Sequence, residues 1–222
     1  MRRIMIATPA HTGTVCVEYA HSLYYTGHLC ATNGIEVYPV WLPRESLLQR
    51  ARNDLVRMAL EGKVDDMVFI DADQEWDPKH FIRLLGHPVD VVGAPVRKKN
   101  DRSEEYNISV AGSNIPVDLK TGLLIVDSVG TGFLRLSRKA LQALWDTSDP
   151  YLDAGHDHRM IFEPRVTDGR FWSEDTVMCA KLRLAGINVH LDPTFTIAHL
   201  GTKKYTGDFE AWLASLKKSS AA

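Results

Sequence analysis

Apolar runs of strand length, alternating with stretches of helical periodicity, constrain this chain more than any other feature. Met67–Ile70 is apolar at every position, and Arg3–Thr8, Ile35–Val40, Val89–Ala94 and Asn188–Leu191 are short predicted strands of similar character. Between them, Glu45–Glu61 sets Leu47, Leu48, Ala51, Leu55, Met58 and Ala59 at helical spacing, and Gly62 can end that helix. Helices are also predicted over Val15–Leu29, over Pro78–Leu85 with proline in its first turn, over Ser137–Trp145 and from Ser173 to Ala185. Strands without a polar face must be covered on both sides. The pattern therefore predicts an α/β fold: a mostly parallel, Rossmann-like central sheet with helices on both faces. A chain of 222 residues, 45% of them hydrophobic, can bury such a core as a single domain.

Two stretches interrupt the alternation. Residues 97–121 begin with the charged run RKKNDRSEE, whose Arg97, Lys98 and Lys99 form a basic patch beside the sheet edge, and continue as a short hairpin or loop. Residues 149–169 are polar, carry His156, Asp157 and His158, and are predicted as one long, solvated surface loop. Leu123–Val126 and Gly130–Leu136 are further strands, and 209–218 is an amphipathic C-terminal helix. A net charge of -2 creates no global field toward nucleic acid or membrane. Cys16, Cys30 and Cys179 form no Cys-x-x-Cys pair, which argues against a zinc site and a disulfide framework. Such cysteine usage makes a reducing cytoplasm the expectation, and no run approaches membrane-spanning length.

The chemistry concentrates at VFIDADQEWDP, residues 68–78. Ligands of an open parallel sheet gather beyond the carboxyl ends of its strands, and Asp71 and Asp73 follow a buried strand at that edge. One residue apart on extended backbone, their carboxylates point the same way and can converge on a hard divalent cation; alternatively they form an acidic turn capping the helix at Pro78. Glu174 and Asp175 open a later helix, where a carboxylate can serve as a base or simply suit the positive helix end.

The order Thr8-Pro9, Arg52-Asn53-Asp54, Asp71-x-Asp73, Gly130-Thr131-Gly132, Glu174-Asp175, His199 resembles the GT-A fold of nucleotide-sugar-dependent glycosyltransferases, in a compact stand-alone form, over residues 3–201. The resemblance implies a nucleotide-binding half over 1–96 and an acceptor-binding half over 97–208. It implies a divalent metal, manganese or magnesium, held by Asp71, Asp73 and His199 against the diphosphate of a nucleotide sugar, UDP being the commonest for this fold. Thr8 and Pro9 would border the base, Arg52 and Asn53 would reach the nucleotide or its diphosphate, and Asp71 would approach the ribose or the metal. Gly130, Thr131 and Gly132 would let backbone come close to the sugar. Asp175 would be the base that deprotonates an acceptor hydroxyl, with Glu174 beside it in substrate binding. A base of this kind implies inversion at the anomeric carbon; retaining enzymes share the fold, so the stereochemistry stays open. A glycan, a lipid-linked sugar, a protein and a modified DNA base are all compatible acceptors.

Other readings fit less well. ATPAHTGTV lacks the glycine-rich, arginine-containing loop of a sugar-nucleotide pyrophosphorylase and the Gly-Lys-Ser/Thr of a Walker NTPase. Asp71 lies too far along the chain for a haloacid-dehalogenase-like phosphatase, whose Asp-x-Asp ends the first strand. A non-catalytic sugar-nucleotide or glycan-binding module and a nucleotidyl- or phosphate-transferring enzyme remain as alternatives. Retention of both acidic pairs argues for turnover.

Overall fold

A computed structural model describes residues 1–110 and 115–219. Seven strands, β1 (Arg2–Ala10), β2 (Ile35–Pro43), β3 (Asp66–Ile70), β4 (Val91–Gly93), β5 (Leu124–Val126), β6 (Phe133–Ser137) and β7 (Val189–Leu191), form one sheet in the order β2-β1-β3-β6-β4-β7-β5. β1, β2, β3, β4 and β7 run in one direction and β5 and β6 in the other. The helices are α1 (Val17–Thr32), α2 (Leu48–Glu61), α3 (Pro78–Gly86), α4 (Arg138–Thr147), α5 (Glu174–Leu184) and α6 (Phe209–Ser219).

Strand alternation divides the core into two layers. Ile4, Ile6, Val68 and Ile70 pack with Tyr19, Phe81 and Leu84 of α1 and α3, whereas Met5, Ala7, Met67 and Phe69 pack with Leu55, Leu141 and Met178 of α2, α4 and α5. The strands carry no polar face because both faces are covered. This is a mostly parallel α/β sheet covered by helices on both faces.

Two features shape the carboxyl edge. The antiparallel β6 lies between β3 and β4, so the Gly130–Gly132 turn that precedes it meets the end of β3, and Asp71 N donates to Gly132 O at 3.3 Å. Beyond that end, the short strand Gln74–Glu75 pairs with Ala198–Leu200, which pairs with Lys204–Tyr205. Leu200 N donates to Asp73 O at 2.7 Å, which fixes His199 beside the acidic pair.

Residues 149–169 are not one loop. They contribute the hairpin Pro150–Asp153/His156–Arg159 and most of a second, Arg165–Thr167/Arg170–Trp172. Each turn joins two positive-φ residues, Ala154 (48°) with Gly155 (81°) and Asp168 (53°) with Gly169 (72°), the backbone that a tight hairpin with the correct twist requires. The His156-Asp157-His158 run is not uniformly solvated either: His158 is buried and its Nε2 lies 3.2 Å from Asp54 Oδ1. In the 97–121 segment Ile108–Ser109 pairs with Ser128–Val129; residues 111–114 of the expected hairpin lie outside the described residues. Among the described residues no helix is long and apolar enough to cross a membrane.

Candidate functional site

Helix α2 buries Ala51, Leu55, Val56 and Ala59 and carries Arg52, only 3% exposed, toward the sheet edge. A guanidinium so enclosed must be paired. Nη1 donates to Glu174 Oε1 at 2.9 Å and to Asp175 Oδ1 at 2.8 Å, Nη2 lies 3.7 Å from Asp71 Oδ1, and the Phe162 ring centroid is 5.8 Å from the guanidinium carbon. Asp71 comes from the end of β3 and the other two acids from the first turn of α5, which Ser173 caps by accepting from Thr176 N. One cation thus joins three carboxylates from distant parts of the chain.

The shared cation leaves these acids under-compensated. Burial pushes the Asp175 carboxyl up, the attraction of Arg52 opposes it, Glu174 and Asp71 push it further, and the result is about 6. A hydrogen bond from the Thr131 backbone fixes that carboxylate. Asp71 is also raised, by burial first, against the pull of Arg52 and with the repulsion of Asp73.

Asp73 goes the other way. Burial would raise it, but hydrogen bonds from His199 and Lys99 bring it down to about 2. Lys99 Nζ is 2.5 Å from Oδ2 and His199 Nε2 is 3.5 Å from Oδ1. His199 Nδ1 lies 2.8 Å from the Arg97 carbonyl oxygen, which can only accept, so Nδ1 carries a proton and Nε2 is the nitrogen turned toward Asp73.

Two hollows flank this arrangement. A cleft of about 480 Å³ is lined by residues including Pro9, Thr14, Val15, Arg52 and Asp73, and a cavity of about 310 Å³ by residues including Gln74, Asn107, Lys99 and Gly132. Asp71 and His199 line both and stand between them.

The expected site residues therefore separate into two groups. Arg52, Asp71, Asp73, Glu174, Asp175 and His199 come together, with Pro9 on the cleft wall and Thr131 acting through its backbone. Gly132 faces the cavity, where an added Cβ would lie 3.4 Å from Asp71 Oδ2. Thr8 points into the core instead: it is fully buried and shares a 2.6 Å hydrogen bond with the Tyr19 hydroxyl, so its side chain cannot border a base. Asn53 accepts from Phe162 N at 2.8 Å and donates to Phe162 O at 3.4 Å, which ties down the chain after the first hairpin rather than a nucleotide. At Gly130 a Cβ would lie 2.1 Å from Asn107 Nδ2, so its bare backbone makes room for that amide rather than for a sugar.

Two participants were missed as individual residues. Lys99 had a signal in the basic run 97–99, and Gln74 had none beyond following Asp73. Among the described residues no group of three or more His, Cys, Asp or Glu side chains is gathered so as to hold a metal ion.

No family model and no curated protein matches the chain. Among solved structures it is similar to a glycosyltransferase involved in the glycosylation of the major capsid of PBCV-1 (14% identity, TM-score 0.36, covering 63% of this chain and 62% of that one). It is also similar to S. aureus TarS over residues 1–349 in complex with UDP-GlcNAc (13%, TM-score 0.49, 95% and 61%). A third is a protein assigned as a glucose-1-phosphate thymidylyltransferase from Bacillus anthracis, in complex with a sucrose (9%, TM-score 0.47, 98% and 95%). The chain spans about three fifths of the length of the first two.

Proposed function

We propose that this chain is a nucleotide-sugar-dependent glycosyltransferase in which Asp175 deprotonates an acceptor hydroxyl and the donor lies across Asp71 and Asp73. One observation carries the reading: a buried carboxylate held at about 6 shares its guanidinium partner with the first aspartate of the strand-end pair. A base must be unprotonated near neutral pH yet basic enough to accept a proton, and Asp175 meets both conditions. A module that merely binds a sugar nucleotide has no need of it.

In this reading the 480 Å³ cleft takes the nucleotide, with Pro9, Val15 and Leu48 as apolar wall and Thr12 and Thr14 as polar rim. Residues 1–96 form the donor half and 97–208 the acceptor half. When Asp175 takes the acceptor proton, Arg52 keeps Glu174 and Asp71 as partners, so the guanidinium is never left unpaired. A base acting from the side opposite the departing diphosphate gives inversion. Trp172, 40% exposed and just ahead of the α5 cap, would flank the acceptor in this reading.

The residues present fit a divalent metal in part. Asp73 and His199 offer a carboxylate oxygen and an imidazole Nε2 from adjoining segments, a mixed set whose carboxylate suits manganese or magnesium and whose imidazole favours manganese of the two, with Asp71 on the neighbouring wall. Lys99 must leave Asp73 for a metal to take its place. A metal held there would supply charge neutralisation for the leaving nucleoside diphosphate.

The test is a thermal-shift panel of UDP-, GDP-, CMP- and dTDP-sugars with manganese and with chelator. Stabilisation by one nucleotide class supports the donor reading, and its loss in chelator supports the metal. Silence across the panel would sink the donor assignment.

A further inference from the structure

Gln74 is fully buried, and neither its Nε2 nor its Oε1 has a hydrogen-bond partner among the described residues. An amide buried in this way has given up its hydrogen bonds to water without replacement, and an apolar side chain of similar shape would serve packing better. The local backbone gives no reason for it. Gln74 N donates to Asp71 O at 3.2 Å and the short strand Gln74–Glu75 is held in register against Ala198–His199, all without the side chain.

Gln74 is among the residues around the 310 Å³ cavity, with Asp71, Asn107 and Gly132, and its amide lies just beneath that wall. Gly132 keeps that surface open: a Cβ there would lie 3.3 Å from Gln74 Nε2 as well as 3.4 Å from Asp71 Oδ2. The cavity adjoins the cleft assigned to the nucleotide, with Asp71 and His199 as the ridge between them. A molecule whose diphosphate lies over that ridge has its far end in the cavity.

We infer that Gln74 is a specificity-determining residue whose carboxamide recognises hydroxyl groups of the donor's glycosyl ring in this cavity. The inference rests on the glycosyltransferase reading above. A carboxamide offers two N–H donors and an accepting oxygen on one rigid plane, which suits neighbouring hydroxyls that both donate and accept. Groups left unpaired in the free protein gain partners only when the sugar enters. A sugar lacking those hydroxyls leaves the amide unpaired, and this is the strongest basis for rejecting an analogue.

Calorimetric titration of the protein with UDP, UDP-glucose and UDP-N-acetylglucosamine, and with GDP and its sugar conjugates, measures how much the sugar tightens binding over the bare nucleotide. In Gln74→Leu that tightening is expected to fall about tenfold while the affinity for bare nucleotide stays unchanged. The melting temperature is expected to hold or rise, because an unpaired buried amide has been removed. Gln74→Met is the second variant, of similar length, should leucine pack poorly. A wild-type protein in which the sugar adds nothing overturns the inference, and so does an undiminished increment in both variants. Equal weakening of nucleotide and conjugate, or a lowered melting temperature in both variants, would make the role structural and overturn it too. If the wild-type protein binds no nucleotide, the glycosyltransferase reading falls and this inference with it; nucleotide binding with the increment intact in the variants removes this inference alone.

Discussion

Asp71 and Asp73 are separated by Ala72 alone, yet the protein shifts them in opposite directions. Asp71 turns to Arg52 and is raised, whereas Asp73 turns to Lys99 and His199 and is lowered to about 2. The difference lies chiefly in how much cation each receives, because the two side chains are comparably exposed, 32% and 40%. Arg52 is almost fully enclosed and divides one charge among three acids. Lys99 and His199 both address Asp73, and 40% of its side chain remains exposed. The strand end therefore carries two clusters back to back, an inner one around Arg52 and an outer one around Lys99 and His199; under the proposed function the inner one would move a proton and the outer one hold a cation.

Breaking the inner cluster is expected to have the largest effects. Asp175→Asn keeps the size of the side chain and an oxygen for Arg52 but cannot take a proton. Transfer should fall by about 10²- to 10⁴-fold with donor affinity little changed. Nucleoside diphosphate release gives the rate and calorimetry the affinity; undiminished turnover would remove Asp175 as the base. Arg52→Met strips three acids of their common counter-charge, two of them with little solvent access, and is expected to destabilise the fold by about 3–5 kcal/mol. Urea unfolding reads this directly, and an unchanged midpoint would show that the acids do not depend on Arg52.

How far these clusters could be read from the chain follows from the range of the contacts that build them. The strands, the Ser137 and Ser173 helix caps, and the acidic pairs are local patterns, and each lies where the pattern places it. Thr8 and Asn53 stand next to site residues in the chain but not in space. Alternation along β1 sends the Thr8 side chain inward to Tyr19, and the turn of α2 carries Asn53 round to the Phe162 backbone. Lys99 meets Asp73 across 26 positions and Arg52 meets Asp175 across 123, and no local spacing encodes such pairs. The two hairpins were hidden because Arg165–Thr167 and Arg170–Trp172 are exposed at every position, as is half of the first hairpin's return strand, which leaves no apolar alternation to detect. Asp168-Gly169 alone announced a turn.

Titration sharpens the contrast further. The folded value of Asp175 lies above that of an unfolded aspartate, so its contribution to stability is full below about pH 4 and is lost as pH rises through about 6. Asp73 has the opposite sign: its contribution is present above about pH 4 and disappears as pH falls toward 2. Under the proposed function, activity would follow Asp175 in its unprotonated form. kcat/KM is therefore expected to rise about tenfold per pH unit below about 6 and to level off above it. A profile measured from about pH 5 to about pH 8 checks this, and a flat one contradicts the assignment.

The smallest expected effect belongs to the outer cluster. The Lys99 stem passes over Gly201, where a Cβ would lie 3.1 Å from its Cδ, and brings the ammonium to Asp73 Oδ2. An ammonium and a divalent ion cannot share that oxygen at close range, because their mutual repulsion cancels what each gains from it. Metal binding at Asp73 and His199 must then break a partly exposed ion pair, worth about 0–1 kcal/mol. Lys99→Met keeps most of the stem and removes the charge. Manganese titrated into the protein without nucleotide should bind up to about fivefold more tightly in this variant, and the gain should shrink as salt screens the pair. Equal affinity in both proteins would mean that Lys99 stands clear of the metal position. If neither binds manganese, the metal drops out of the donor site, and Lys99 itself becomes the cation that meets the diphosphate.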